Sequence, residues 1–231
     1  MLTDSLFVWI EAGRKLDSDN PGDQDILVVK NTNVALGPGA TQIIPVEGVC
    51  CQAKNSSPDK GSRFSIGKMA PALWVVIANF ISAFNFDRHT IQQAIWVLSD
   101  EHDIRSIPVD ENSTEPGLRE KVAEILDIPL PWYAFKYAED STTLFSGDRT
   151  HVFAYIPFEV PYSTIIHGLI YNQNGEIVYQ SDYTHARRGQ NFFKLNVDIV
   201  GWVLGKYKFE LMEDLHTVNL YRTIDLDLEE G

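Results

Sequence analysis

The sequence predicts an α+β domain followed by an all-β sandwich, and three observations support this fold class. First, 231 residues are typical of two domains of ordinary size. Second, strand-like runs and then helical periodicity fill the first half, whereas short strand-like runs separated by turns fill the second. Third, an Ile-Pro-Leu-Pro segment separates the halves. We therefore place the domains at 1–128 and 132–231, joined by a stiff proline linker at 129–131.

Strand-like segments open the first domain. The runs Leu6–Ile10 and Ile26–Val29 are rich in β-branched and aromatic residues and are bounded by glycine or polar loops. The segment 41–46 alternates weakly between polar and apolar residues. A further apolar segment after it contains both cysteines of the chain, Cys50 and Cys51.

Helical periodicity begins after Met69 and predicts three helices. The first has apolar residues on most of its surface, which indicates a helix that is largely buried. Asp87 is a suitable N-cap for the second helix. A third helix is predicted from about Pro116, because proline suits the first helical position. The apolar face of the second helix comprises Ile91, Ala94, Ile95 and Leu98.

The second domain is predicted to consist of strands throughout. Asn172–Gly175 forms a strong hairpin signal, because asparagine and glycine tolerate positive φ angles. Short strands at this spacing are typical of a sandwich. The predicted strands lie at 152–158, 165–171, 177–180, 192–197, 207–212 and 220–228.

Charge and hydropathy exclude several classes of partner. The formal net charge is −13, which repels nucleic acid and anionic membrane surfaces. No membrane span is predicted, because the longest apolar run, 70–84, is interrupted and shorter than the roughly 20 residues that a bilayer requires. No signal peptide is visible, so an extracellular or cell-envelope location is favoured only if one was removed. No nucleotide-binding glycine motif occurs, and we predict no cofactor.

The two cysteines are neighbours, which excludes a disulfide framework between distant segments. Three interpretations stay open. In the first, the cysteines are ordinary strand residues on alternating faces, with one in the core. In the second, they form a strained, labile vicinal disulfide. In the third, one of them is a reactive thiol.

The string Ile91-Gln92-Gln93-Ala94-Ile95-Trp96, with Cys50 upstream, resembles the thioester domains of bacterial surface adhesins. Those domains carry a cysteine after a strand and a glutamine in a hydrophobic-Gln-x-x-hydrophobic-hydrophobic helix. The resemblance covers about residues 45–100. It implies that the thiol of Cys50 displaces ammonia from the carboxamide of Gln92, and that the thioester later acylates a target amine or hydroxyl. Cys51 and Gln93 are the less favoured alternatives.

A second resemblance covers roughly residues 140–231. The hairpin turn Asn174-Gly175-Glu176 and the late strand start Gly205-Lys206-Tyr207 are similar to bacterial immunoglobulin-like modules. The resemblance implies an immunoglobulin-like sandwich that spaces or presents a partner domain. Together the two resemblances imply a non-enzymatic interaction or adhesion module of the bacterial cell surface or envelope. Its partner would be a protein or glycan target on a surface.

The alternative function is a small cysteine hydrolase or amidase. In it, Cys50 or Cys51 is the nucleophile, and His89 or His102 is the general base.

Two further groups of residues are candidate binding sites. A polar loop offers carboxylates for calcium, although its spacing fails the EF-hand template and a solvated turn is the alternative. The one basic cluster could bind an anionic partner, or could lie in a solvated loop. The loop carboxylates are Asp17, Asp19 and Asp23, and the basic cluster is His185, Arg187 and Arg188.

Overall fold

The computed structural model describes residues 6–109, 117–138, 147–213 and 220–228. The chain divides into two compact units, each formed by two segments. The first comprises Met1–Pro131 and Tyr137–Asp148, and the second comprises Trp132–Lys136 and Arg149–Gly231. The described residues form mostly antiparallel β-sheets together with three α-helices.

The strands of the first unit form two antiparallel sheets. One sheet contains only β1 and β4, and the other has the strand order β5-β3-β2-β6, so that β5 lies at a sheet edge. The described strands are β1 (Leu6–Ile10), β2 (Arg14–Ser18), β3 (Ile26–Val28), β4 (Thr32–Leu36), β5 (Gly48–Cys50) and β6 (Phe64–Met69).

The predictions for β1 and β3 are confirmed, and the cysteine segment is strand β5. The weakly alternating segment 41–46 contains no strand. Three strands were not predicted, namely β2, β4 and β6. Each mixes polar with apolar residues and contains no fully buried residue, so the sequence shows no clear apolar face for it.

The helices of the first unit are α1 (Ala72–Ala83), α2 (Arg88–Ser99) and α3 (Leu118–Leu126). The prediction for Asp87 is confirmed, because its side chain accepts a hydrogen bond from Thr90 N at 3.0 Å. The predicted start at Pro116 lies outside the described residues, and Gly117 is the N-cap of α3.

The expectation that the first helix is largely buried is wrong. Only one stripe of α1 is buried, formed by Ile77, Ala78 and Ile81. Leu73 is 47% exposed and Val76 is 46% exposed on the remaining surface. The buried stripe joins one hydrophobic core with residues of α2, α3 and the four-stranded sheet, including Leu27, Val49, Cys51, Ile95 and Val122.

The second unit contains two antiparallel sheets. One has the order β12-β8-β7, and the other has the order β10-β9-β13-β14, with β11 also paired to β9. All six strands predicted in this half are confirmed, while β7 and β11 are too short to show periodicity. The strands are β7 (Ala134–Tyr137), β8 (Arg149–Val160), β9 (Thr164–Tyr171), β10 (Ile177–Gln180), β11 (Thr184–Ala186), β12 (Gly189–Asp198), β13 (Lys206–Glu213) and β14 (Leu220–Asp227).

The two sheets of the second unit meet through large aromatic side chains. The rings of Phe193 on β12 and Phe209 on β13 have centroids 5.7 Å apart. Gly168 on β9 leaves room for both, since a Cβ there would lie 2.8 Å from Phe209 and 2.9 Å from Phe193. The predicted hairpin turn is confirmed by a hydrogen bond from Gly175 N to Asn172 O at 3.0 Å.

No helix in the described ranges is long and apolar enough to cross a membrane.

Candidate functional site

The candidate site begins at the open edge of strand β5. Cys50 lies opposite Ile26 of β3. The two residues form a non-hydrogen-bonded pair of the ladder, because the adjacent ladder bond runs from Cys51 N to Asp25 O at 3.1 Å. In an antiparallel ladder, such a non-hydrogen-bonded residue directs its own N–H and C=O away from the partner strand. The main-chain N–H and C=O of Cys50 therefore point away from β3, towards the open edge of the sheet.

The side chain of Gln92, from α2, occupies this edge. Its Oε1 accepts a hydrogen bond from Cys50 N at 3.0 Å, and its Nε2 donates one to Cys50 O at 2.7 Å. The two residues are 42 positions apart in sequence. The fold thus brings together the cysteine and the glutamine that the thioester-domain resemblance singles out.

The two thiols lie in different surroundings. Cys51 belongs to the hydrophobic core together with Val49, whereas Cys50 lies outside that cluster. This agrees with the alternation expected for a strand. Cys50 is nevertheless buried, with 8% of its surface exposed, and both cysteines are free thiols. The structure contains no vicinal disulfide.

Burial controls the acidity of both thiols. It raises the pKa of Cys50, an effect that the positive charge of Arg88 only partly opposes. Burial also raises the pKa of Cys51, to about 12, against the opposing charge of Lys15. Both thiols are therefore protonated at neutral pH. A cysteine hydrolase needs the opposite, since its nucleophile is activated by a lowered pKa.

The histidines give no support to a hydrolase. His89 is exposed on α2. The ring of His102 lies 5.7 Å from that of Trp96, and burial lowers the pKa of this histidine despite the nearby carboxylate of Asp100. Within the described part of the chain neither ring hydrogen-bonds a thiol, and the Sγ of Cys51 donates to Asp25 O at 3.3 Å.

A carboxylate that the sequence did not single out anchors the strand ends next to the cysteines. Asp25 accepts hydrogen bonds from Lys15 Nζ at 2.8 Å, from Ser18 N at 2.9 Å and from Gln52 Nε2 at 2.7 Å. Burial alone would raise the pKa of Asp25, but these donors outweigh it and lower the pKa. Its partners lie in separate segments of the chain, so no local pattern marks the cluster.

Gln93, the alternative glutamine, has different surroundings from Gln92. It is almost fully buried, and its Oε1 has no hydrogen-bond partner within the described residues. Neither cysteine forms a hydrogen bond with its carboxamide there. The two adjacent glutamines therefore form a natural pair for comparison.

Two of the calcium candidates, Asp19 and Asp23, line one open cavity, but Asp17 does not. Asp17 pairs with Lys15 at 3.4 Å, while Asp23 accepts from Asn20 at 2.9 Å and from Ser62 at 3.0 Å. Among the residues that the structure describes, no group of three or more histidine, cysteine or acidic side chains could hold a metal ion. Asp19, the third candidate, belongs to no such group either.

The basic cluster is exposed where β11 leads into β12. His185 lies within β11 and not in a loop as expected, because it pairs with Ile165 of β9. Arg187 and Arg188 follow in the turn, and Arg187 N donates to Asn191 Oδ1 at 3.1 Å. The three residues are close in sequence, and all three side chains are exposed.

Comparison of the chain with protein-family models gave no match, and comparison with curated proteins also gave none. The function is therefore inferred from the geometry of the Cys50–Gln92 site.

Proposed function

We propose that this chain is a non-enzymatic interaction module of the bacterial cell surface or envelope, and that Cys50 and Gln92 form a thioester for covalent attachment to a target. One observation carries the proposal. The Gln92 carboxamide is held on the main chain of Cys50 by hydrogen bonds of 3.0 and 2.7 Å. The carboxamide, which is the acyl donor of the proposed reaction, is thus held against the residue whose thiol would attack it, and such proximity supports the proposal.

The same proposal assigns a role to each unit. The first unit, with its strands followed by α1, α2 and α3, is an α+β domain resembling the thioester domains of surface adhesins. The second unit, with two facing antiparallel sheets and the hairpin turn at Asn172–Gly175, is an immunoglobulin-like sandwich that acts as a spacer. The target is a protein or glycan on a surface.

The chemistry needs no external oxidant or cofactor. Sγ of Cys50 attacks Cδ of Gln92, the S–C bond forms, and the C–N bond of the carboxamide breaks. The thiol proton leaves with the amide nitrogen, which departs as ammonia. A target amine or hydroxyl then attacks the same carbon, the C–S bond breaks, and the thiol of Cys50 takes up the proton.

The surroundings of Cys50 suit one attachment event better than repeated turnover. Because burial raises the pKa of this thiol, little thiolate exists at neutral pH, and the proposed reaction depends on the Gln92 carboxamide being held against Cys50. The same burial keeps water away from the thioester once it has formed. A buried and slow-forming bond is therefore protected until a target amine or hydroxyl reaches it.

Intact mass spectrometry of the purified full chain tests the proposal. We expect a mass lower than that of the sequence by one ammonia, and we expect methylamine to add to Gln92 and free the thiol of Cys50. The variants Cys50→Ala and Gln92→Ala should have their full masses. The matched controls Cys51→Ala and Gln93→Ala should keep the deficit of one ammonia.

Two outcomes would overturn the assignment. A wild-type chain of full mass, with both thiols alkylated after unfolding, would show that no thioester forms. A deficit that persists in Cys50→Ala but disappears in Cys51→Ala would move the bond to the neighbouring thiol.

A further inference from the structure

An apolar loop at one end of the second unit is held in a defined shape. It follows β12, where Asp198 Oδ1 accepts a hydrogen bond from Val200 N at 2.9 Å. The hydroxyl of Tyr207 donates to Val203 O at 2.6 Å and ties the loop to β13. The ring of Trp202 lies against that of Tyr207, with centroids 5.1 Å apart. The indole is therefore positioned by the fold.

This ordered loop leaves apolar side chains in water. Val203 is 78% exposed and Leu204 is 58% exposed, and Val178 of β10 is exposed beside them. A contiguous exposed apolar patch on a folded unit is unusual and marks a binding surface more often than scattered single residues do.

The hairpin between β9 and β10 presents polar side chains to the same apolar loop. The Asn172 side chain fixes this turn by accepting from Asn174 N at 2.9 Å and from Glu176 N at 3.0 Å. Within the described part of the chain, the carboxamides of Gln173 and Asn174 have no hydrogen-bond partner. Gly205 makes room for one of them, since a Cβ there would collide with Gln173 Nε2.

Hairpin and loop together line a cavity of about 410 Å³ that is open to solvent on one side. Its lining includes Gln173, Asn174, Val178, Trp202 and Leu204, and none of the lining side chains is charged. The size lies in the range of roughly 300–1,000 Å³ that is typical of small-molecule sites. An ionic ligand would find no counter-charge here, on a chain whose net charge is −13. The lining therefore selects a neutral ligand.

We infer that this cavity binds a neutral sugar unit. A pyranose ring has an apolar C–H face, which packs on an indole, and hydroxyls that both donate and accept hydrogen bonds. The carboxamides of Gln173 and Asn174 also donate and accept, so they match those hydroxyls. An apolar side chain of a partner, bound in the same cavity, would remove both carboxamides from water without replacing their hydrogen bonds to water. The inference is independent of the proposed thioester.

Titration of the full chain, followed by ¹H–¹⁵N NMR, tests the inference with glucose, galactose, N-acetylglucosamine and their β-linked disaccharides as probes. We expect at least one sugar to shift the indole signal of Trp202 and the side-chain amide signals of Gln173 and Asn174. Trp202→Ala should weaken binding at least about tenfold, because a truncated aromatic anchor typically loses that much. Gln173→Ala should weaken it by about two- to tenfold, the equivalent of one hydrogen bond.

The matched control is Phe192→Ser, which removes a side chain that is 71% exposed on the same unit but does not line the cavity. It should leave the affinity unchanged. If Trp202→Ala unfolds the unit, Trp202→Phe, which keeps a ring, should retain part of the affinity. No shift with any of these sugars would overturn the inference. Shifts with the apolar dipeptide acetyl-Val-Leu-amide alone would show a peptide site instead.

Discussion

The contact between Gln92 and the main chain of Cys50 can be tested as a source of stability, apart from any chemistry. The perturbation is Gln92→Met in a Cys50→Ala background, where no thioester can form. Methionine keeps the length of the side chain and removes both the donor and the acceptor. The main chain at position 50 then faces the open sheet edge without a partner.

The expected loss follows from the two hydrogen bonds, of 3.0 and 2.7 Å. Each such bond contributes roughly 0.5–1.5 kcal/mol net, so the free energy of unfolding of the first unit should fall by about 1–3 kcal/mol. The upper part of this range applies because Cys50 is buried and water cannot readily replace the lost partner.

Two measurements check this value. Urea denaturation gives the change in the free energy of unfolding, and amide hydrogen exchange reports the main-chain N–H at position 50 directly. That N–H should exchange faster in the variant, because the Gln92 Oε1 is its acceptor.

Gln93→Met in the same background is the matched control. The Oε1 of Gln93 has no partner within the described residues, so its removal should be neutral or stabilising. A Gln92→Met loss below about 0.5 kcal/mol, or one equal to the Gln93→Met change, would refute the reasoning, since it is less than one ordinary hydrogen bond.

Two further predictions concern the cores of the two units. Burial raises the pKa of Cys51 from 9.0 to about 12, so the folded chain keeps this proton where the unfolded chain has lost it, and the free energy of unfolding should fall from about pH 9 to about pH 12. Urea denaturation of wild type and Cys51→Ala across this range should show a shallower fall in the variant, and equal slopes would contradict the assignment. In the second unit, Gly168→Ala should lower stability by about 1–3 kcal/mol, because its Cβ would meet the rings of Phe193 and Phe209. Thermal unfolding should show no comparable loss for Gly37→Ala, whose Cβ would have no atom within 4 Å.

Periodicity predicted those parts of the fold that bury a regular face. In the second unit, β8, β12 and β13 alternate more and less buried residues, and strand-like runs separated by turns predicted these strands. Strand β2 was missed because all its residues are half-buried and most are polar or charged, and β6 was missed because it contains no fully buried residue. For α1 the apolar residues extend beyond the buried stripe, so composition overstated its burial.

In the candidate site too, some residues were predicted from the sequence and others were not. Cys50 and Gln92 were predicted to meet because a motif on a helix and a cysteine on a strand resemble a known pair. Asp25 was not predicted, because the donors around it come from two separate parts of the chain, strand β2 and Gln52. The exposed loop at 200–204 was also missed. Its apolar composition is typical of a core segment, and only the fold shows that it faces water.

The position of β5 has a further consequence for how copies of this chain behave at high concentration. An uncovered strand edge offers free N–H and C=O groups on which a strand of another molecule can form a continuous intermolecular sheet, the first step towards aggregation. Here a helix side chain occupies those groups at Cys50, and the strand is only three residues long. An incoming strand would first have to displace Gln92, so this contact also helps to keep neighbouring molecules from polymerising through that edge.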